Sequence, residues 1–205
     1  MRPGRLLAAF LILPLAVSAE VVCALGSGAA GYKASSDEKP SADTMQIARR
    51  VDSLYASFCL PKCPEAAMLR NSTAANLMLT SDNEGAKLIY SPQFFSSAYG
   101  KYGQGGLIAL IAHVYGHAID ETTPSNWIPT NWNRELRADA WAGCAVAKAG
   151  LAPNDLANAF GAMSAYPPPS QSVWSRRVPS IRLGFTHCGG EGAKFDSALG
   201  GIKSK

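Results

Sequence analysis

The stretch Ile111–Asp120 reads IAHVYGHAID and places two histidines, His113 and His117, four residues apart in an otherwise apolar segment. The apolar run that contains them, QGGLIALIAHVYGHAID, is too long for a strand and predicts a buried helix that opens after Gly105 and Gly106. Residues four apart lie on one face of a helix, so both imidazoles can point at one metal ion.

A second polar pair lies downstream, in RELRADAWAG. A catalytic zinc ion commonly has three protein ligands and one position for water, and Glu135 is the best candidate for the third ligand. Asp139, four residues later on the same helix face, could accept a hydrogen bond from the outer nitrogen of a ligand histidine. A buried carboxylate is costly unless it is paired or bound to metal, so the pattern favours zinc. A purely hydrogen-bonded cluster of these four side chains is the alternative.

These motifs resemble a known family. AHVYGH, ELRADAWAG and AKAGLAP are similar to the bacterial M48-like zinc metallopeptidases of the gluzincin type, in which HExxH is followed by a glutamate ligand and an aspartate in an ExxxD pattern. The resemblance covers roughly Asn71 to Cys188, including AKLIYSPQFFSSAYGKYGQGGLIALIAH and RRVPSIRLGFTHC. It implies a zincin-like two-helix metal site in which Asp139 supports three zinc ligands, His113, His117 and Glu135.

One position departs from the family pattern. Where HExxH has the glutamate that takes a proton from the metal-bound water, this sequence has Val114, so no catalytic residue is assigned. Loss of a general base typically costs a factor of about 10² to 10⁴ in rate. We therefore expect either a zinc metallopeptidase-like protein with weak or absent peptide hydrolysis, or a noncatalytic binding or structural module of the cell envelope. The expected partner is a peptide or protein, as substrate or as ligand.

The N-terminus predicts export. Arg2 and Arg5 precede an apolar run from Leu6 to Val17, and the small-residue sequence VSA ends at Ala19, a pattern typical of a secretory signal peptide over residues 1–19. Cleavage after Ala24 is the alternative. The mature protein is then expected in the periplasm or the medium. The apolar run is shorter than the roughly 20 residues that span a bilayer, so contact with a membrane is expected only through an uncleaved leader.

The five cysteines agree with an oxidising compartment. Cleavage after Ala19 would leave all five in the mature chain, and cleavage after Ala24 would leave four, which allow three pairings. The close spacing in CLPKC favours a local disulfide, and the remaining pair would tie a helix to the C-terminal segment; the favoured pairing is Cys59–Cys63 with Cys144–Cys188. A metal site on the CLPKC cysteines is disfavoured because no second cysteine or histidine pair at ligand spacing completes it.

Composition and turn signals predict the organisation of the chain. A hydrophobic content of 47% with 17% charged residues is typical of a globular domain. The formal charge of +4 falls to +2 when Arg2 and Arg5 leave with the leader, and no basic cluster with interleaved aromatics remains, so nucleic acid is not an expected partner. Residues 25–40 are expected to form a flexible spacer, residues 41–188 a single metallopeptidase-like domain, and residues 189–205 a flexible tail.

Hydrophobic periodicity predicts the elements of that domain. We expect an amphipathic helix over 41–58, a β-hairpin of 77–80 with 87–90, the buried helix of the two histidines, and a helix from NRELRAD that ends at Gly150. Two more helices are expected over 154–165 and 173–185. The predicted fold is a mostly helical α+β domain with a small sheet.

Overall fold

A computed structural model describes residues 20–26, 29–59, 63–83, 85–123 and 125–202 of the chain. Within these ranges the chain forms one α+β domain with six α-helices and a five-stranded mixed sheet, which confirms the predicted fold class. The predicted signal peptide, residues 1–19, lies outside the described residues.

All five strands of the sheet come from the N-terminal half of the chain, between residues 20 and 90. Its five strands are β1 (Glu20–Ala24), β2 (Asp37–Glu38), β3 (Ala66–Asn71), β4 (Leu77–Asp82) and β5 (Gly85–Tyr90). Their order across the sheet is β1-β4-β5-β3-β2, with β3 and β5 parallel and every other pair antiparallel. The predicted hairpin is confirmed as the pair β4–β5, and it lies inside a larger sheet whose other strands were not predicted.

The six helices are α1 (Ala42–Tyr55), α2 (Pro92–Thr122), α3 (Arg134–Lys148), α4 (Pro153–Ala165), α5 (Trp174–His187) and α6 (Gly192–Leu199). The range of α2 contains two helical segments joined by a kink at Gly103, where φ is +60°. The first segment begins at Pro92, where the Ser91 hydroxyl accepts a hydrogen bond from Phe94 N. The second segment, which carries the two histidines, begins after Gly103, close to its predicted start. No helix among the described residues is both long and apolar enough to cross a membrane.

Two segments that were expected to be flexible pack against the domain. In the predicted spacer, Leu25 is buried, the N–H of Gly26 donates to Pro167 O, and β2 pairs with β3. In the predicted tail, α6 buries Phe195 against Phe160. The glycine-rich composition of both segments suggested mobility, but a few apolar side chains at the right positions attach them to the core.

The second half of α2 lies at the centre of the core. Every residue from Leu107 to Ile119 is buried, as expected for a helix that lacks a polar face. Helices α3 and α4 pack along it, and it also contacts α1 and the sheet. The two histidines are therefore enclosed by protein on all sides.

Both predicted disulfides are present. Cys59 is bonded to Cys63, and Cys144 of α3 is bonded to Cys188 at the end of α5. Among the described residues, Cys23 of β1 is the free cysteine, and it is buried.

Helices α3 and α5 approach each other closely at Gly184. A Cβ atom at this position would lie 1.7 Å from the carbonyl oxygen of Ala140, which is backbone and cannot move aside. We expect Gly184→Ala to lower the free energy of unfolding by about 1–3 kcal/mol or more, because the two helices must separate. Gly100→Ala in α2 is the control, since a Cβ there meets nothing within 4 Å; its higher helix propensity should leave stability unchanged or raised by up to about 1 kcal/mol. Urea unfolding of both variants checks this, and equal stability would contradict the close packing.

Candidate metal centre

Four side chains from three elements converge in the interior: Cys23 of β1, His113 and His117 of α2, and Glu135 of α3. Their sulfur, nitrogen and oxygen donor atoms all lie within 4.8 Å of one another. The structure thus brings together the three predicted ligands and adds a fourth donor, Cys23. This cluster could hold a metal ion.

The distances within the cluster suit tetrahedral coordination. The Nε2 atoms of His113 and His117 each lie 3.3 Å from Glu135 Oε2, and Cys23 Sγ lies 4.0 Å from His113 Nε2. A tetrahedral zinc ion with bonds of about 2.0–2.3 Å separates its donor atoms by roughly 3.3–3.6 Å. The two histidine–glutamate separations match this range, whereas Cys23 Sγ lies farther out and no two donors are more than 4.8 Å apart, so small movements of the side chains would bring all four donors to bonding distance of one ion.

Two of these donors have no hydrogen-bond partner. A separation of 3.3 Å would allow hydrogen bonds, but within the described parts of the chain His117 Nε2 and Glu135 Oε2 are buried and neither makes one. Leaving a buried polar atom unsatisfied typically costs about 1–3 kcal/mol, so native structures rarely do so without a reason. A metal ion bonded to both atoms would remove this cost, which favours metal binding over a purely hydrogen-bonded cluster.

An irregularity in β1 directs Cys23 inward. Val21 pairs with Thr80 and Cys23 pairs with Leu79, so Val22 is an extra residue in the register between β1 and β4. Such a bulge changes the face to which the following side chains point. Accordingly Val21 is 41% exposed, whereas Cys23, two residues later, is buried beside the histidines.

A small residue between the histidines lets α3 come close. A Cβ atom on Gly116 would lie 3.0 Å from Ala138 O and 3.1 Å from Trp141 Cβ.

The cap of α3 positions Glu135. The side chain of Asn133 accepts a hydrogen bond from Leu136 N, so Glu135 lies in the first turn, where a carboxylate is favoured. Its side chain is 14% exposed, which makes it the most accessible of the three predicted ligands.

Asp139 has the position that the motif predicted for it. Nδ1 of His113 donates to Asp139 Oδ1 at 2.8 Å, which leaves Nε2 facing the cluster. Arg177 of α5, which is fully buried, donates to both oxygens of Asp139 at 2.9 and 2.7 Å and to Met163 O at 2.7 Å. This chain of hydrogen bonds fixes the orientation of the His113 ring.

The same contacts shift the pKa values of the cluster. Burial disfavours the charged form of His113, but the charge and hydrogen bond of Asp139 outweigh it and hold the pKa of His113 well above its ordinary value. Burial also works against ionised Glu135 and Cys23, yet the two neighbouring histidines overcome it and lower the pKa of the Glu135 carboxyl and of the Cys23 thiol. Without a metal ion, Glu135 and Cys23 are thereby favoured as anions beside protonated histidines, and a metal ion that bound there would replace the histidine protons.

Three further side chains that a metal or catalytic site could have used lie outside the cluster. Val114 is buried in the main hydrophobic core. Asp120, at the far end of α2, accepts hydrogen bonds from Arg137 and Trp141. His187 stacks on the ring of Trp127. None of these side chains is one of the converging donors.

Two members of the site were missed from the sequence. Cys23 had one signal, because five cysteines leave one unpaired when two disulfides form. Arg177 had no sequence signal, since nothing in its spacing distinguishes it from the other arginines of α5.

No protein-family model, curated protein or solved structure matches the chain.

Proposed function

We propose that this chain is an exported zinc-binding domain in which the metal stabilises the fold and peptide hydrolysis is weak or absent. The observation that carries the proposal is the fourth donor, Cys23. Structural zinc sites have four protein ligands, whereas catalytic sites have three and leave one position for water. With Cys23 beside the two histidines and Glu135, all four positions are taken by the protein.

The donor set favours zinc over other cations. Calcium and magnesium prefer oxygen ligands, often with several waters. One thiolate, two imidazoles and one carboxylate, buried and arranged within 4.8 Å, are instead ligands that zinc accepts in tetrahedral geometry. Bound there, zinc would connect β1 to the consecutive helices α2 and α3, which are distant from β1 in the sequence.

The chain's own residues support a structural role for the metal. Asp139 and Arg177 hold His113 with Nε2 toward the cluster, which pre-orients a ligand. The side chain of Val114 has no group that can accept or donate a proton. A thiolate in the fourth position would also exclude the water that a peptidase activates. The likeness of the motifs to gluzincin-type peptidases supports a peptidase-like ancestry.

Export is supported by two features. The residues before Glu20 have the pattern of a signal peptide, and the two disulfides are typical of proteins that fold in an oxidising compartment. A zinc site that holds the N-terminal strand on the domain would add stability in that setting.

Metal analysis of the purified mature protein tests the proposal. We expect one zinc ion per chain and a lower melting temperature in chelator, because a ligand that binds only the native state stabilises it by about 2.7 kcal/mol at a hundred times its Kd. Glu135→Gln should remove most of the chelator effect. Glu121→Gln is the matched control, since Glu121 contacts only the surface residue Arg134 among the contacts described for it. Protein without zinc whose melting curve is unchanged in chelator would refute a metal site.

A further inference from the structure

We propose that β1 is an exchangeable strand: the edge of β4, together with the fourth metal position, forms a binding groove for an extended peptide that carries a thiol. In this structure the chain's own residues Glu20–Ala24 fill that groove. The inference rests on the proposed zinc site, and it assigns that site a ligand class and a means of regulation.

The strand is a separable unit at the border of the sheet. Among the strands of the described residues, β1 lies at one edge of the sheet and pairs with β4. Leu25, the next residue, has contacts of its own: its side chain is buried, its carbonyl oxygen accepts from Asn76 Nδ2, and its N–H donates to Leu77 O at the start of β4. Displacement of β1 would therefore need to extend no further than the bond between Ala24 and Leu25.

The interactions of β1 define the ligand that could replace it. Four residues of β1 pair antiparallel with β4, from Glu20 opposite Ser81 to Ala24 opposite Met78. Such main-chain pairing recognises an extended backbone largely independently of sequence. The one side chain that reaches the metal cluster is Cys23. An extended peptide with a thiol at this register offers the same backbone pairing and the same donor atom.

Exchange preserves the balance of charge at the site. If His113, His117 and Glu135 hold a metal ion, an incoming peptide thiol would lose its proton and Cys23 would gain one. One thiolate would take the place of another, so no oxidant or reductant would be needed. The short length of β1 also favours exchange, because only five residues must separate from β4.

Cobalt substitution tests the proposal on the whole mature chain. Co²⁺ takes the place of Zn²⁺ in tetrahedral sites, and a bound thiolate gives a charge-transfer band in the near ultraviolet. The unaltered protein should show this band, and Cys23→Ala should lose it while still binding cobalt. The capped pentapeptide EVVCA should then restore the band in Cys23→Ala. EVVAA, which lacks the thiol, should not restore it.

A third peptide separates strand pairing from simple thiol binding. EPPCA carries the same thiol, but its prolines remove main-chain donors and disfavour strand pairing. We expect EVVCA to act at a concentration at least about tenfold lower than EPPCA, equivalent to about 1.4 kcal/mol. Equal potency, or no restored band with either peptide, would overturn the exchangeable strand. Cys23→Ser, closer to cysteine in size, provides the same measurement if Cys23→Ala does not fold.

The two proposals fail in different ways. Absence of the thiolate band in the unaltered cobalt-loaded protein would refute the four-ligand site itself. A band in the unaltered protein that EVVCA cannot restore in the variants would leave the zinc site in place and refute only the exchange.

Discussion

Arg177→Met is expected to lower the free energy of unfolding by about 3–5 kcal/mol, because it leaves the buried carboxylate of Asp139 without its main cationic partner. Arg177 and Asp139 are both fully enclosed, and the guanidinium donates to both carboxylate oxygens. The methionine side chain fills similar space but cannot compensate the charge. Urea unfolding in the presence of excess zinc measures the loss.

Arg182→Met is the matched control for this substitution. Arg182 lies on the same helix and forms the same kind of two-bond pair, with Asp196, but both side chains are exposed to solvent. Exposed pairs contribute little, so this variant should unfold almost like the parent. Similar losses in the two variants would contradict the assigned importance of the buried pair.

Arg177→Met should also weaken metal binding. Without Arg177, Asp139 is no longer held in position to orient His113, and loss of such outer contacts typically lowers metal affinity by about 10- to 100-fold. Competition with a chromophoric chelator measures this effect. A purely structural role for Arg177 would change stability and leave the zinc affinity of the folded protein unaltered.

Val114→Glu combined with Cys23→Ala is expected to hydrolyse unstructured peptides at least about tenfold faster than the matched pair Val114→Gln with Cys23→Ala, a small part of what a positioned general base contributes. Residue 114 has the motif position at which the gluzincin-type peptidases, which the motif resembles, have their base, and removing Cys23 would free the fourth position of the proposed metal site for water. Glutamine has nearly the same size and polarity as glutamate but cannot accept the proton. Peptide cleavage with and without chelator compares the two proteins.

The single variant Val114→Glu separates the two requirements. With Cys23 still present, the fourth position remains filled, so little or no hydrolysis is expected. Because Val114 is part of the hydrophobic core, a carboxylate there is costly, and zinc content and folding have to be verified for each variant. If the double variant folds, binds zinc and cleaves peptides no faster than its glutamine counterpart, the cluster is not a dormant peptidase site.

The part of the site that could be predicted is the part that helix geometry determines. His113 with His117, and Glu135 with Asp139, are pairs four residues apart, so their common faces follow from local periodicity. Cys23 reaches His113 across 90 residues of sequence, through the pairing of β1 with β4 and a bulge at Val22. Neither the pairing nor the bulge has a local signal.

The fold was predictable to a similar extent. Turn residues between two short apolar runs predicted β4 and β5, and periodicity predicted five of the helices. The two residues of β2 are too few for a pattern, and their pairing with β3 depends on distant residues. The order of the C-terminal segment depends on Phe195, which packs against Phe160 and Phe185, a tertiary contact that composition does not indicate.

The position of Cys23 in the chain matters for how the two disulfides form. It is the first of five cysteines to emerge during synthesis or translocation, yet its neighbours at the site, His113, His117 and Glu135, follow about 90 residues or more later. Until they arrive, the Cys23 thiol is free while Cys59 and Cys63 must pair with each other, and Cys144 and Cys188 follow later still. Thiol exchange between them would produce scrambled bridges. If the proposed zinc site forms as the core closes, binding of Cys23 to the ion would keep its thiol from attacking the disulfides, and the zinc supply during folding would then influence the yield of correctly bridged protein.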